Sequence, residues 1–444
     1  MRARVIFVTS LAALLVVLLA GQAASSSTAR PSAAATEAPI DWPQFRFDQR
    51  HTGYQPFETT LNASNVPNLQ LAWQAQLGDL VTYSSPAVVG GVAYIGSSDG
   101  RLWAYPAGGC GQDICTRPLW TSTNLAQVID SPTVANGLVY VGSQTSPTSA
   151  AGKVDVFRAE GCGQAVCAPI WRGVAGTQSI LQSSPTVVGG RVYVGSYDGK
   201  MYVFNANGCG ARLCQPLWTG STGGHIESTP TVRGDTVFIG SDDGKLYAFP
   251  AGGCGASTCQ PRWTGSIGEP VFDSTPAVSN GVVYVGSAHH LSAFPAGGCG
   301  TSTCQPLWQG SHQDDFVYGS PAVFGGRVYI GVESTVGVFD ASGCGRQQCG
   351  PLWLDFGTGT QAAVLSSPTV ANGVVYAGKM NGEVLAWKAG PCGQFVCDEI
   401  WRFLTNDPVV SSSPTVVNGT VYIGGANRFA FPEDTTGRLY VFTL

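Results

Sequence analysis

The chain has 444 residues, a formal net charge of −5 and only 11% charged residues, where about a quarter is usual. No Lys/Arg cluster interrupts it, which excludes nucleic acid as the expected partner. Length alone suggests two or three domains, but an internal repeat overrides that prior and assigns the chain to one array.

Residues 1–24 read as a secretory signal peptide: Arg2 and Arg4 precede an apolar run from Val5 to Ala20, and GQAAS supplies the small residues. The run is short for a membrane span, so no transmembrane segment is expected in the mature chain; an uncleaved anchor is the alternative. Gln22 stands where a lipoprotein signal would need cysteine. Residues 25–40, of Ser, Ala, Thr and Pro, read as a disordered linker. An N-terminal segment, 41–70, leads into the repeat region, 71–444. Asn62-Ala63-Ser64 and Asn418-Gly419-Thr420 match the glycosylation pattern, which is common by chance.

The repeat is clearest over residues 183–218, SSPTVVGGRVYVGSYDGKMYVFNANGCGARLCQPLW. A proline marks each copy: Pro86, Pro132, Pro185, Pro230, Pro276, Pro321, Pro368 and Pro414. SSPTVVGG reads as a strand closed by a Gly-Gly turn, RVYVGS as a β-branched and aromatic strand, KMYVF as a third strand, and PLW as the start of a fourth. Four antiparallel strands with short Gly-rich turns make a propeller blade. Proline suits the first strand, the inner edge, because it cannot donate to a ladder. The predicted fold is therefore all-β, an eight-bladed β-propeller.

The tryptophans of the fourth strands give the same count. Seven follow their blades, at Trp120, Trp171, Trp218, Trp263, Trp308, Trp353 and Trp401, while the last unit ends after its third strand. The missing strand is LAWQAQL around Trp73, so an N-terminal strand is expected to complete the C-terminal blade and remove its free edges.

Cysteines follow the same arithmetic, with a C-x4-C pair in the third-to-fourth strand loop of every blade but the last. Behind a signal peptide, paired cysteines read as disulfides: Cys110–Cys115, Cys162–Cys167, Cys209–Cys214, Cys254–Cys259, Cys299–Cys304, Cys344–Cys349 and Cys392–Cys397. Zinc would need four ligands together, which pairs fanned around a ring do not readily supply.

The units resemble the pyrroloquinoline quinone (PQQ) repeat of the quinoprotein alcohol dehydrogenase-like propellers. Val192–Ser196, Asp243–Phe249, the docking tryptophans, and the opening Asp41-Trp42-Pro43-Gln44-Phe45-Arg46 with His51-Thr52-Gly53 carry the resemblance. The Cys-containing loop replaces the family's Thr-Gly-Lys turn. WD40 and kelch repeats match poorly. The resemblance implies one of two functions: a dehydrogenase holding PQQ and calcium in the central funnel, or a cofactor-free scaffold such as the outer-membrane assembly protein. Fold does not choose between them.

Residues that break the repeat are the site candidates. Three positions before each proline stand Tyr83, Ile129, Gln182, Glu227, Asp273, Tyr318, Leu365 and Ser411. After the second strand Ser is usual, but blade 7 has Lys379, and the long loop of blade 8 brings Arg428. His225, His289, His290 and His312 fall in the loops of blades 4 to 6, with Asp314, Asp315 and Glu333. A metal site or an acid–base pair is conceivable there, as is a solvated polar rim. No spaced metal motif occurs.

The resemblance implies that an active dehydrogenase needs a tryptophan under the quinone, adjacent cysteines above it, and Glu and Asn on calcium. No adjacent cysteines occur and no tryptophan falls in the funnel loops, although Tyr83, Phe272, Phe316 or Tyr318 could offer a weaker plane. The expected function is thus a non-catalytic, extracytoplasmic binding or scaffolding propeller, monomeric, with a protein or cell-envelope partner. The alternative is a PQQ- and calcium-dependent dehydrogenase acting on an alcohol or sugar. The expected ligand surface is the funnel face of blades 4 to 6, with Lys379 and Arg428 across it.

Overall fold

A computed structural model describes residues 41–444 except 127–129, 147–148, 181, 314, 357–360, 406, 408–411 and 427–435. Eight sheets form the eight blades, and the described residues include one short helical turn, Val66–Asn68. In blade 3, strands Thr186–Val188, Arg191–Gly195, Lys200–Asn205 and Trp218–Ser221 pair antiparallel in sequence order.

Each sheet has five strands where four were expected. The fifth in blade 3 is Thr258–Cys259, from the cysteine loop of blade 4, running parallel to Trp218–Ser221. Each disulfide loop is thus pinned to the outer strand of the preceding blade. Blade 7 cannot receive such a strand, because blade 8 has no cysteine loop; its fifth strand is Tyr54–Gln55, parallel to Thr369–Ala371 on the inner edge. All seven expected disulfides form, and no cysteine is free.

Ring closure is as expected. Strand Gln70–Gln76 pairs antiparallel with Gly437–Thr443, placing Trp73 opposite Val441. The Trp73 indole lies against Gly109 in the cysteine loop of blade 1, where an added Cβ would sit 2.9 Å from the ring. Gly109 has φ +80°, so glycine is needed there for conformation as well as space.

Hydrophobic clusters fill the wedges between blades. Tyr193, Met201, Val203 and Trp218 of blade 3 pack with Val237, Ile239 and Phe249 of blade 4. Burial of both sheet faces explains the scarcity of charge.

The Ser or Thr before each proline builds a closed inner ring. Ser85 N–H donates to Ser131 Oγ at 2.9 Å, Ser131 to Ser184 at 3.0 Å, and so on through Thr229, Thr275, Ser320 and Ser367 to Ser413, whose N–H donates back to Ser85 Oγ at 2.8 Å. Inner-edge groups left without a ladder partner are satisfied laterally, from blade to blade.

Candidate functional site

The N-terminal segment threads the axis. Trp42 N–H donates to Val88 of blade 1 at 2.7 Å, and Pro43 O accepts from Val134 of blade 2 at 2.7 Å. Gln49, Arg50, Thr52 and Gly53 carbonyls accept from Val232, Val278, Val323 and Val370 of blades 4 to 7. His51 Nε2 lies 3.0 Å from Thr186 Oγ1 of blade 3, and Gln55 Nε2 donates to Val416 O of blade 8 at 3.4 Å. One segment therefore touches all eight first strands. Burial pushes His51 down to about 4, so the imidazole stays neutral.

Arg46 completes this plug. Where Thr follows the marker proline, its hydroxyl donates to the proline carbonyl of the next blade, as Thr369 does to Pro414 at 2.6 Å. Ala277 and Ala322 cannot donate. The carbonyls they would have reached, Pro321 and Pro368, accept instead from Arg46 Nη2 and Nη1 at 2.9 and 2.5 Å.

Toward the opposite end of the first strands, at the residues just before the prolines, lies a cavity of about 230 Å³. Tyr83, Asp273 and Tyr318 line it, as expected for positions three before a proline, with Gln182, Phe272 and Phe316 beside them and Phe45 contributed by the plug. Phe272 and Phe316 are 50% and 48% exposed. Phe316 and Tyr318 stack with centroids 6.0 Å apart.

Glu227 ties this cavity to a second concavity. It accepts a hydrogen bond from the Tyr197 hydroxyl and shares one with Asp273. The Asp273 carboxyl is pushed well above the usual range by burial and then by Glu227 and Asp242. Asp242 is pushed up to about 6, by burial first and Glu227 second. His225 stacks on Tyr197 at 5.1 Å, and Nδ1 contacts the Tyr197 carbonyl. Tyr197, His225 and Asp242 line this second concavity, of about 470 Å³.

A third, of about 330 Å³, takes His312, Asp315 and Glu333. His312 Nδ1 lies 2.8 Å from Asp315, and Glu333 accepts from the Phe316 N–H at 3.0 Å. His289 and His290 both approach Glu269, at 3.4 and 3.1 Å, and the His289 ring lies 4.7 Å from Phe316. The histidines are therefore not gathered at one centre: His289 and His290 share Glu269, His312 pairs with Asp315, and His225 lies against Tyr197. Among the described residues no three His, Cys, Asp or Glu are grouped to hold a metal ion.

Lys379 does not face a ligand surface. It is 1% exposed, at a position where Ser97, Ser196 and Ser241 are equally buried. Burial lowers its pKa, opposed by Glu383 and Glu399. Asp314 and Arg428 lie outside the described residues.

Sequence reasoning missed Tyr197, Asp242, Glu269 and the threading of the plug through the ring. Tyr197 carried a signal: it occupies a turn position filled by Ser98 in blade 1 and Asp242 in blade 4.

The family model described as outer membrane protein assembly factor BamB matches residues 60–249 and 210–391. No curated protein matches the chain by sequence. Among solved structures, BamB from Moraxella catarrhalis is 17% identical with a TM-score of 0.60, covering 85% of this chain and 98% of its own. The quinohemoprotein alcohol dehydrogenase from Comamonas testosteroni is 14% identical with a TM-score of 0.65, covering 90% and 80%. A europium-containing methanol dehydrogenase is 12% identical with a TM-score of 0.62, covering 91% and 98%. These similarities establish the shared propeller.

Proposed function

The chain belongs to the PQQ-like propeller family represented by the assembly factor BamB, and from that premise we propose that it is an extracytoplasmic binding or scaffolding propeller. Its funnel face meets a protein or cell-envelope partner. The lining of the central cavity carries this reading. Pyrroloquinoline quinone is a flat tricarboxylate that calls for cations and an electron-withdrawing metal. Among the described lining residues none is Lys or Arg, and the ionisable side chains are Asp273, Tyr83 and Tyr318. At about 230 Å³ the cavity is also below the roughly 300 Å³ at which sites for whole small molecules begin. The described lining residues do not suit the quinone. They suit a head group or side chain projecting from something larger.

Seven disulfides suit an oxidising compartment, and the apolar N-terminal run reads as an export signal. The test is capture of partners from a cell-envelope extract on immobilised protein, comparing Phe316→Glu and Asp273→Lys with the outer-rim variant Leu217→Glu. The two funnel variants are expected to lose the partner and the rim variant to keep it. The reverse pattern would move the site to the rim.

A further inference from the structure

We propose that the central cavity binds an organic cation bearing N–H groups, an alkylammonium or guanidinium, with Asp273 and Gln182 as acceptors and Phe272, Phe316 and Tyr318 as walls. The proposal rests on the funnel face being the ligand surface and names the chemistry that this surface recognises.

Asp273 and Gln182 line the cavity, and each has a buried oxygen without a partner. Asp273 Oδ1 and Gln182 Oε1 are both acceptors and neither receives a hydrogen bond. Buried polar atoms are normally satisfied, so the missing component is a donor. Both residues also have left-handed backbones, at φ +44° and +68°, a conformation unfavourable for an L-residue. Such strain concentrates where a site must be held in one geometry.

The walls favour a cation over a neutral donor. Five aromatic residues line it, Phe45 of the plug among them. Aromatic faces attract ammonium and guanidinium groups, most strongly when water is excluded. The adjoining charge has the matching sign. Glu227, hydrogen-bonded to Tyr197, adjoins Asp273; Asp242 lies behind it, and His225 stacks on Tyr197. A metal ion is less well served. Calcium takes six to eight oxygen ligands, with carboxylates prominent among them, whereas Asp273 is the one carboxylate among the described lining residues.

A cation beside Asp273 favours its ionised form, so binding is coupled to proton release. In the free protein burial, and then Glu227, pushes the Asp273 carboxyl well above the usual carboxylate range. Apparent affinity for the cation therefore rises with pH as the free-state carboxyl deprotonates.

The experiment is titration calorimetry of the full folded chain at pH 7, in two buffers of different ionisation enthalpy. The probes are methylguanidinium, n-butylammonium, tetramethylammonium, the neutral butan-1-ol, and the capped peptide Gly-Arg-Gly. Methylguanidinium and butylammonium are expected to bind with proton release. Butanol and tetramethylammonium should be about ten-fold weaker, as one lost charge or hydrogen-bond contact of about 1.4 kcal/mol predicts. Asp273→Asn, which keeps size and tolerates positive φ, should remove the proton release and weaken binding about ten-fold. Phe316→Leu should weaken it a few-fold. Tighter binding of the peptide than of methylguanidinium would identify a partner's side chain as the source; equal binding would identify a free small cation.

Equal affinity for butanol, an unchanged Asp273→Asn variant of parental melting temperature, or no binding of either N–H cation at about 50 mM, a concentration far above a millimolar Kd, would overturn the proposal. Failure here with funnel-dependent partner capture intact would sink this assignment alone. Loss of funnel dependence in the capture experiment would sink the parent reading.

Discussion

Arg46 Nη2 donates to the carbonyl oxygen of Pro321 at 2.9 Å, across 275 residues of sequence, at the site where Ala277 has no hydroxyl to offer. The plug and the ring are therefore complementary in sequence: the carbonyls left open by alanines of blades 5 and 6 are those that the guanidinium fills. Gly53 makes room for it, since a Cβ there would lie 2.0 Å from Nη2.

Arg46→Met should destabilise the fold by about 2–4 kcal/mol, because it leaves two buried carbonyls unsatisfied. Arg46→Lys should not restore stability, since a single ammonium lacks the planar fork that spans both acceptors. Chemical denaturation of the three proteins measures this. Equal midpoints would contradict the assigned role of the guanidinium.

Closure of the ring predicts a larger loss. Deleting residues 70–78 removes the outer strand of blade 8, to which Ile114–Cys115 of blade 1 also pairs. Both sheet edges would be exposed, and the thermal transition should broaden and fall well below that of the parent. Retention of the parental transition would contradict closure by Trp73.

The disulfides are each local, with five residues from one cysteine to the next. Replacing Cys209 and Cys214 by Ser should cost about 2 kcal/mol by loop entropy. Mass spectrometry of non-reduced peptides should find only pairs within one loop. Peptides joined between blades would contradict the pairing.

Much of the fold was legible because the repeat states each structural position many times. The prolines, tryptophans and cysteines fixed blade number, closure strand and disulfide pairs. The fifth strand was not legible: Thr258–Cys259 is two residues long and pairs with a strand some 39 residues earlier, at Thr219↔Thr258, so no local period marks it. The plug occurs once, so no repetition reveals where Arg46 reaches. At the site, three positions that depart from the repeat, Tyr83, Asp273 and Tyr318, line the central cavity. The same reasoning misplaced Lys379, because the Ser it replaces is buried; variation at that position reports the interior of a blade.

Blade 6 supplies a pH dependence. Asp355 is fully buried, accepts from Trp353 Nε1 at 3.0 Å, and is pushed by burial up to about 7. Its folded pKa lies above the unfolded value of about 3.9. The unfolded chain therefore loses this proton first, and stability falls as pH rises from about 4 to about 7. Asp355→Asn removes the titration and keeps an acceptor for the indole. The variant should gain on the parent across that window, by of order 4 kcal/mol at pH 8. Melting curves from pH 4 to 8 that run parallel for the two proteins would contradict this.

The central claim is a binding propeller that does not use the quinone. The direct measurement adds pyrroloquinoline quinone and calcium to the purified protein, follows binding at equilibrium, and then follows reduction of an artificial electron acceptor with a panel of alcohols and sugars. The account predicts neither stoichiometric calcium-dependent binding nor turnover. Stoichiometric, calcium-dependent binding with acceptor reduction would contradict it.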